Sequence, residues 1–311
     1  MTVAGARVFG LRHAIKRAGE TMLVAAGVAR MAERRHRSRT AILSYHNIVP
    51  EGESAAGDTS LHLPRRRFRE HLDVLQAHYE IVPLDRLEDG SVGRAPRVAI
   101  TFDDAYAGAV SAGLDELASR GLPATLFVSA GMLGRRSFWW DRLAGPGGFV
   151  QCDRRDHVLW SLAGDDDAAR TWMRTEGIAE SDLPEHALSA TEAELEAATS
   201  RGAVCLGAHG WGHLNLAALD EDGLASELER PATALDARYG AYRPWLAFPY
   251  GLVSPVAEAV SAHTYRFGFR IEGGLADAGQ VAHRPSFIPR INVPAGLSTG
   301  GLRLRVAGVT S

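Results

Sequence analysis

The chain has 311 residues, 46% of them hydrophobic and 23% charged, and its 37 acidic and 34 basic side chains leave a formal net charge of −3. That is the composition of a globular protein with a large core, and it excludes a highly charged disordered chain and a strongly basic nucleic-acid binder. The length allows two domains of about 150 residues, or one α/β barrel of about 250 residues with an appendage. Cys152 and Cys205 are too few for a disulfide framework and form no C-x-x-C pair, so reduced thiols are expected. No apolar run approaches the ~20 residues that span a bilayer.

Residues 1–40 carry nine basic side chains against Glu20 and Glu33, a net of +7, which leaves −10 for the remainder. Val8, Leu11, Ile15, Met22, Leu23, Val28 and Met31 recur at roughly helical spacing, so a basic amphipathic helical segment is expected here. Its apolar stretch Met22–Val28 is short and is followed by Arg30 and Met31, which argues against a secretory leader and for a cytoplasmic location. Two readings stay open: a helix packed on the domain with a solvated basic face, or peripheral contact of residues 1–40 with an anionic membrane surface. Lys16 is the only lysine; the excess of arginine reads as biased coding, and no nucleic-acid partner is expected.

From residue 41 to the end the pattern alternates. Strands are expected at Ala41–Tyr45, Arg97–Phe102, Ala124–Val128, Val204–Ala208, Trp245–Phe248 and Phe267–Ile271. Helices are expected at Arg66–Tyr79, Tyr106–Arg120, Thr191–Ser200, Asp220–Tyr239 and Ser254–His263. Strands and helices taking turns imply parallel strands with crossover helices. Thr191-x-x-Glu194 is a capping box opening one helix, and Gly202 is its stop. Residues 135–184 break the rhythm with Phe138-Trp139-Trp140, a Gly-Pro-Gly-Gly turn at 145–148 and the acidic run Asp165–Asp167, and read as an insertion.

Chemistry in parallel α/β folds gathers at the carboxyl ends of the strands. Three strand ends stand out: Asp103-Asp104, His209-Gly-Trp-Gly-His213 and Pro249-Tyr250-Gly251. Alone, the aspartate pair can cap a helix and the histidine pair can pack in a core. Together, two imidazoles and one carboxylate form a three-ligand set of the catalytic zinc type, with one position left for water. The spare carboxylate is then available as the base that water attack requires, since no Glu lies between the histidines.

In this order, Thr101-Phe102-Asp103-Asp104, His209-Gly-Trp-Gly-His213 and Phe248-Pro249-Tyr250-Gly251 resemble the polysaccharide deacetylases of carbohydrate esterase family 4, the NodB-type homology domain. The resemblance covers roughly residues 41–293, from Leu43-Ser44-Tyr45-His46 to Pro289-Arg290-Ile291. It implies a distorted (β/α)7 TIM-like barrel over residues 41–311, preceded by the basic segment 1–40 and interrupted by the insertion 135–184. It implies a hydrolase that removes N-acetyl groups from an amino sugar of a glycan or glycan precursor, with a divalent metal, Zn2+ before Co2+, Ni2+ or Fe2+. By position, Asp103 becomes the base, Asp104, His209 and His213 the metal ligands, and the Tyr250 backbone N–H an oxyanion donor. Two departures stand out. The family's Arg-x-x-x-Pro-Tyr arrangement has Trp245 where its arginine belongs, with Arg243 two residues early, and no late Leu-x-His motif supplies the acid. His46 is the replacement acid, as in the circularly permuted branch that includes biofilm poly-N-acetylglucosamine deacetylases, and His283 is a weaker competitor. Arg290 either orients a carboxylate bidentately or decorates a strand end. Trp211 and Phe138–Trp140 offer faces for sugar rings or belong to the core, and Asp141 is a helix cap or a site contact. The alternative functions are a glycan-binding or assembly-partner barrel without turnover, and a deformylase acting on a lipid-linked sugar.

Overall fold

The computed structural model describes residues 16–88, 95–201 and 203–310. Val8, Leu11 and Ile15 of the expected N-terminal helix, and the stop at Gly202, lie outside the described residues. Eleven strands occur among those residues: β1 Thr40–Tyr45, β2 Asn47–Val49, β3 His62–Pro64, β4 Glu80–Ile81, β5 Arg97–Phe102, β6 Ala124–Val128, β7 Val204–Ala208, β8 Tyr242–Ala247, β9 Phe267–Arg270, β10 Ile288–Pro289 and β11 Ile291–Asn292. The main sheet runs β10-β9-β8-β7-β6-β5-β1-β11, with β4 against β5, and every one of its ladders is parallel. Its two ends, β10 and β11, are consecutive in the chain and separated only by Arg290, so the sheet curls into a nearly closed barrel. β2 and β3 form a separate parallel pair.

Alternation along the strands sorts side chains into two cores, as a period of two requires. Ile42, Ala99, Phe127, Trp245, Ala247, Phe267, Phe269 and Ile288 fill the barrel's interior. Leu43, Tyr45, Val98, Ile100, Phe102, Leu126, Val128 and Leu206 face outward into the larger core under the helices. Trp245 is thus an interior filler, not a replacement for the family's arginine, and Arg243, near the start of β8, hydrogen-bonds the carbonyls of Gly240 and Tyr242. Gly207 lets the interior fill: a Cβ there would lie 2.6 Å from the Phe127 ring and 3.0 Å from the Trp245 carbonyl.

The helices obey the expected stripes. Arg65–His78 buries Phe68, His71, Leu72 and Leu75, and Glu192–Thr199 opens with the full capping box of Thr191 and Glu194. Glu221–Arg238 is capped by Asp220 and keeps Pro231 inside it. The expected helix Tyr106–Arg120 differs: a π turn at Ala109–Gly113 precedes the α-helix Leu114–Ser119. β8 starts at Tyr242, three residues before expectation, and ends at Ala247, one residue early, because Phe248 already leads into the turn Pro249–Gly251; β9 ends at Arg270, also one residue early. The insertion contains the helices Trp139–Leu143, Cys152–Asp156 and Asp166–Thr175. Its acidic run is the start of the last one, with Asp165 accepting from the Ala168 N–H and Asp166 and Asp167 in the first turn, where the helix dipole favours negative charge. Cys152 is exposed, Cys205 half-buried, and both are free.

Residues 16–25 are helical, and a second helix follows at Val28–Arg35. Ala29 packs with Leu304 and Ala307 of the last helix, Thr299–Val306, and its edge. Glu33 accepts from Tyr79 Oη at 2.6 Å and Arg303 Nε at 3.2 Å, while Glu20 accepts from Ser298.

The interior packing yields a test. Gly207→Ala should destabilise the protein by about 1–3 kcal/mol, the usual cost of overpacking a filled core. Adding Phe127→Leu should recover part of that loss in urea unfolding, because it removes the ring that the new methyl meets; independent, additive losses would count against this account.

Candidate active site

Adjacent residues on a strand point to opposite faces, so Asp103 and Asp104 can share a site only if the chain leaves the strand between them. It does: β5 ends at Phe102, and Asp104 and Ala105 take φ of 70° and 57°. Asp103 keeps the inward parity of Ala99 and Thr101, while Asp104 is swung round the rim. His213 (φ 60°) and Tyr250 (φ 58°) are also left-handed, so four of the six non-glycine residues with positive φ among the described residues lie at this one place. Such conformations cost of order 1 kcal/mol or more each and persist only when the surroundings enforce them.

His209 follows β7 directly, and its Nδ1 lies 2.7 Å from the Ala247 carbonyl. That carbonyl needs a donor, which places the proton on Nδ1 and turns the Nε2 lone pair toward the cavity. Nε2 of His213 is 3.2 Å from Nε2 of His209, and the two stand 3.1 and 3.5 Å from Oδ1 of Asp104. With metal–ligand bonds of roughly 2.0–2.2 Å, the ligand atoms of a tetrahedral ion are about 3.3 Å apart. The spacing therefore fits a divalent ion. Buried Oδ1 of Asp104 has no hydrogen bond of ordinary geometry, and two imidazole nitrogens face each other, an arrangement that a shared cation would satisfy. Burial lowers the His209 pKa to about 4 against the opposing pull of Asp103, so the ring is neutral at pH 7 and ready to bind a metal.

Asp103 has different company. Arg290, fully buried at the barrel seam, donates Nη1 to Oδ1 at 2.6 Å and Nη2 to Oδ2 at 2.9 Å. Ser44 donates to Oδ2 at 2.9 Å. Arg290 is thus the bidentate orienter, coming from the seam instead of from β8. Burial pushes the Asp103 carboxyl up, but Arg290 and then His209 more than offset this and hold it well below the usual carboxylate range. For Asp104 the same burial is outweighed chiefly by His213.

These residues open into a cavity of about 230 Å³ lined by His46, Asp103, Asp104, His209, His213 and Tyr250, with Asp58, Trp139, Trp140, Arg155 and Asn292 among its other walls. Small-molecule pockets usually span ~300–1,000 Å³, so this one lies just below the usual size. His46, between β1 and β2, therefore faces both aspartates' cavity, whereas His283 is exposed and outside it. Phe138 is buried and Trp140 stands 4.8 Å from the His213 ring, with Tyr250 edge-on at 4.5 Å. The expected aromatic cluster is thus a packing box for His213, with Trp139 and Trp140 also forming wall. Trp211 does not line this cavity; Arg230 stacks on it 4.0 Å away, beside a separate hollow. Asp141 caps no helix. Its oxygens accept from His62 Nε2, the Asp58 N–H and Tyr106 Oη, tying the insertion to the cavity wall at Asp58.

A polysaccharide deacetylase family profile matches residues 91–268, more than half of the chain. The chain belongs to the polysaccharide deacetylase family. A search of curated proteins finds no match. Among solved structures it is similar to the Streptococcus pyogenes deacetylase PplD in complex with acetate (TM-score 0.60, 16% identity, 86% of this chain and 98% of that one). It is also similar to IcaB from Ammonifex degensii (TM-score 0.58, 18% identity, 87% and 96%) and to BC0361, a polysaccharide deacetylase from Bacillus cereus (TM-score 0.61, 14% identity, 86% and 69%). At these identities the likeness is one of fold.

Family motifs do not lead to Glu227. Its buried carboxylate accepts from the backbone N–H groups of Trp211 (3.0 Å) and Gly212 (2.9 Å), the loop between the two histidines. Burial raises its pKa, and those N–H groups only partly compensate. The sequence held a clue: Leu224, Glu227, Leu228, Pro231 and Leu235 form one buried stripe, so this glutamate stands where a core residue belongs.

Removing the guanidinium should show in the pH profile. Arg290→Ala leaves a buried carboxylate without its main compensation, so the Asp103 pKa must rise and the acid limb of kcat/KM must move to higher pH. Breaking such a pair should also cost about 3–5 kcal/mol in unfolding experiments, and Arg290→Lys should recover charge but not the fork. Glu227→Gln should weaken Zn2+ affinity roughly 10–100-fold in chelator competition, the usual effect of losing a group that orients ligands, while circular dichroism stays unchanged.

Proposed function

We propose that the protein is a metal-dependent hydrolase that removes the N-acetyl group from an amino sugar of a glycan or glycan precursor. The observation that carries this reading is the pairing of a three-donor set, Asp104, His209 and His213, with a separately oriented carboxylate, Asp103, in one cavity. Membership of the deacetylase family and a fold shared with deacetylases support it. A glycan-binding barrel without turnover has no use for a spare carboxylate held by a buried arginine.

A divalent cation, Zn2+ by preference for two imidazoles and a carboxylate and Co2+, Ni2+ or Fe2+ as alternatives, supplies Lewis acidity toward the acyl carbonyl and toward water. Asp103 takes the proton of the attacking water. Its Oδ2 already accepts from Arg290 and Ser44, and Oδ1 from Arg290 alone, so the unused lone pair of Oδ1 is the one that receives it. Held far below the ordinary carboxylate range, Asp103 is a weak base, and it matches only water that has itself been acidified. The Tyr250 backbone N–H, in the turn that its left-handed φ creates, donates to the developing oxyanion. His46 protonates the leaving amine, which cannot depart as an amide anion.

Asp103→Asn should keep the metal and lose roughly 10²–10⁴-fold in turnover, and Asp104→Asn should lose metal as well, by elemental analysis and acetate release from N-acetylated glycans. His46→Ala should be slowed strongly on an N-acetyl sugar and much less on an activated ester, whose leaving group needs little protonation. Metal-free active protein would overturn the reading, and formate release in preference to acetate would change the acyl group.

A further inference from the structure

Met22, Leu23 and Met31 are three of the six large apolar side chains that stand most exposed among the described residues, Met22 at 72% and Met31 at 75%. Single exposed apolar residues are ordinary, but these fall within ten positions of one helical arm. The arm's inner side is settled: Glu20 meets Ser298, and Val24, Ala29 and Ala32 pack with Leu304 and Ala307. Met22 lies about 200° round the helix from Glu20, and Met31 about 200° from Ala29, so both point away from that packing.

Arginines frame the methionines on the outward side. Arg30, Arg34 and Arg35 are exposed on the same short helix. Arg30, Arg34 and Arg37 also converge with His78, Pro96 and the carboxylate of Glu33, which is itself paired with Arg303, around a hollow of about 320 Å³ at the amino-terminal edge of β5. Within the described residues 16–40, seven basic side chains stand against Glu20 and Glu33, so this segment is basic while the chain as a whole carries −3.

We infer that this helical arm is a docking face for an anionic phospholipid bilayer, with Met22 and Met31 entering the headgroup–acyl boundary and Arg30, Arg34 and Arg35 meeting lipid phosphates. Both halves of the pattern are needed for the assignment. Basic residues alone suit any polyanion, but a nucleic acid gives no reward for burying two flexible thioether side chains, whereas a bilayer does. The basic residues in turn select an anionic leaflet and make the contact salt-dependent. This inference is independent of the proposed hydrolysis, since none of these residues lines the cavity of Asp103 and Asp104.

The test is co-sedimentation of the full chain with phosphatidylcholine vesicles, with and without about 30% phosphatidylglycerol. Partitioning should be at least about tenfold stronger on the anionic vesicles and should fall when salt is raised from about 0.1 to 0.5 M. Met22→Ser with Met31→Ser should cut it by about tenfold or more, and Arg30→Glu with Arg34→Glu should abolish it. All four positions are exposed, and circular dichroism should confirm an intact fold. Full-length protein that stays in the supernatant with anionic vesicles would overturn the inference. So would methionine variants that bind as well as the parent, which would reduce the face to a polyanion contact, or light scattering that shows a dimer broken by the same variants, which would make a second copy the occupant.

Discussion

The fork of Arg290 on Asp103 joins the closure of the barrel to its chemistry. Arg290 is the one residue between β10 and β11, the two ends of the sheet order, and its guanidinium crosses the interior to the end of β5. A buried arginine and a buried aspartate are each costly alone, and their pairing is tolerable only with good geometry and satisfied hydrogen bonds. The interior supplies the geometry and partners for both Nη groups, leaving only the buried Nε of Arg290 without a hydrogen bond. Thr101 accepts from Nη1, the Phe127 ring lies 5.0 Å under the guanidinium, and Ser44 takes another carboxylate lone pair. If the seam shifted, the Asp103 carboxylate would lose its orientation; if that carboxylate were removed, the seam would hold an unpaired charge.

Strain gathers where this interior meets the rim. Asp104, Ala105, His213 and Tyr250 each hold a left-handed backbone; the Ala105 carbonyl accepts from the Ala190 N–H, and His213 and Tyr250 are held by neighbours outside the donor set. Glu227 gathers the loop N–H groups between the histidines. Trp139 donates to Tyr250 Oη at 2.8 Å, and Trp140 packs on His213 while its own Nε1 is anchored on Tyr106. Tyr106 ends on Asp141, and Asp141 on His62. The insertion 135–184 is thus the outer buttress of the site, since it contributes both tryptophans and Asp141.

The main strands and helices were legible from periodicity, because four to eight residues facing two cores, or a long amphipathic stripe, leave a pattern. β5, β6 and β7 match their expected limits residue for residue. The strands β2, β3, β4, β10 and β11 have two or three residues each, too few for a period to register. The clustering of Asp103, Asp104, His209, His213, Tyr250 and His46 was legible because parallel strands collect their carboxyl ends. What fixes these groups was not. The partner of Asp103 lies 187 positions away, so the sequence could offer Arg290 as the orienter of a carboxylate only beside the alternative of a strand-end decoration. The aromatic run Phe138–Trp140 was visible as a cluster, yet choosing between sugar platform and core needed the rings' neighbours.

Two identical, adjacent side chains acquire opposite tasks through surroundings alone. Asp103 continues the inward register of β5, so it meets the groups the barrel interior can provide: a guanidinium, a hydroxyl and no imidazole nitrogen within hydrogen-bonding reach. Asp104, displaced by its positive φ, meets two imidazole nitrogens and keeps one oxygen without a hydrogen bond. Parity forbids an exchange. A carboxylate at position 104 cannot reach the seam without restoring the extended strand, and that would turn it to the helical face beside Ile100 and Phe102. The division of labour proposed above, with Asp103 handling protons and Asp104 offering a lone pair to a cation, is therefore one that the backbone turn at the end of β5 would set before either side chain meets a ligand.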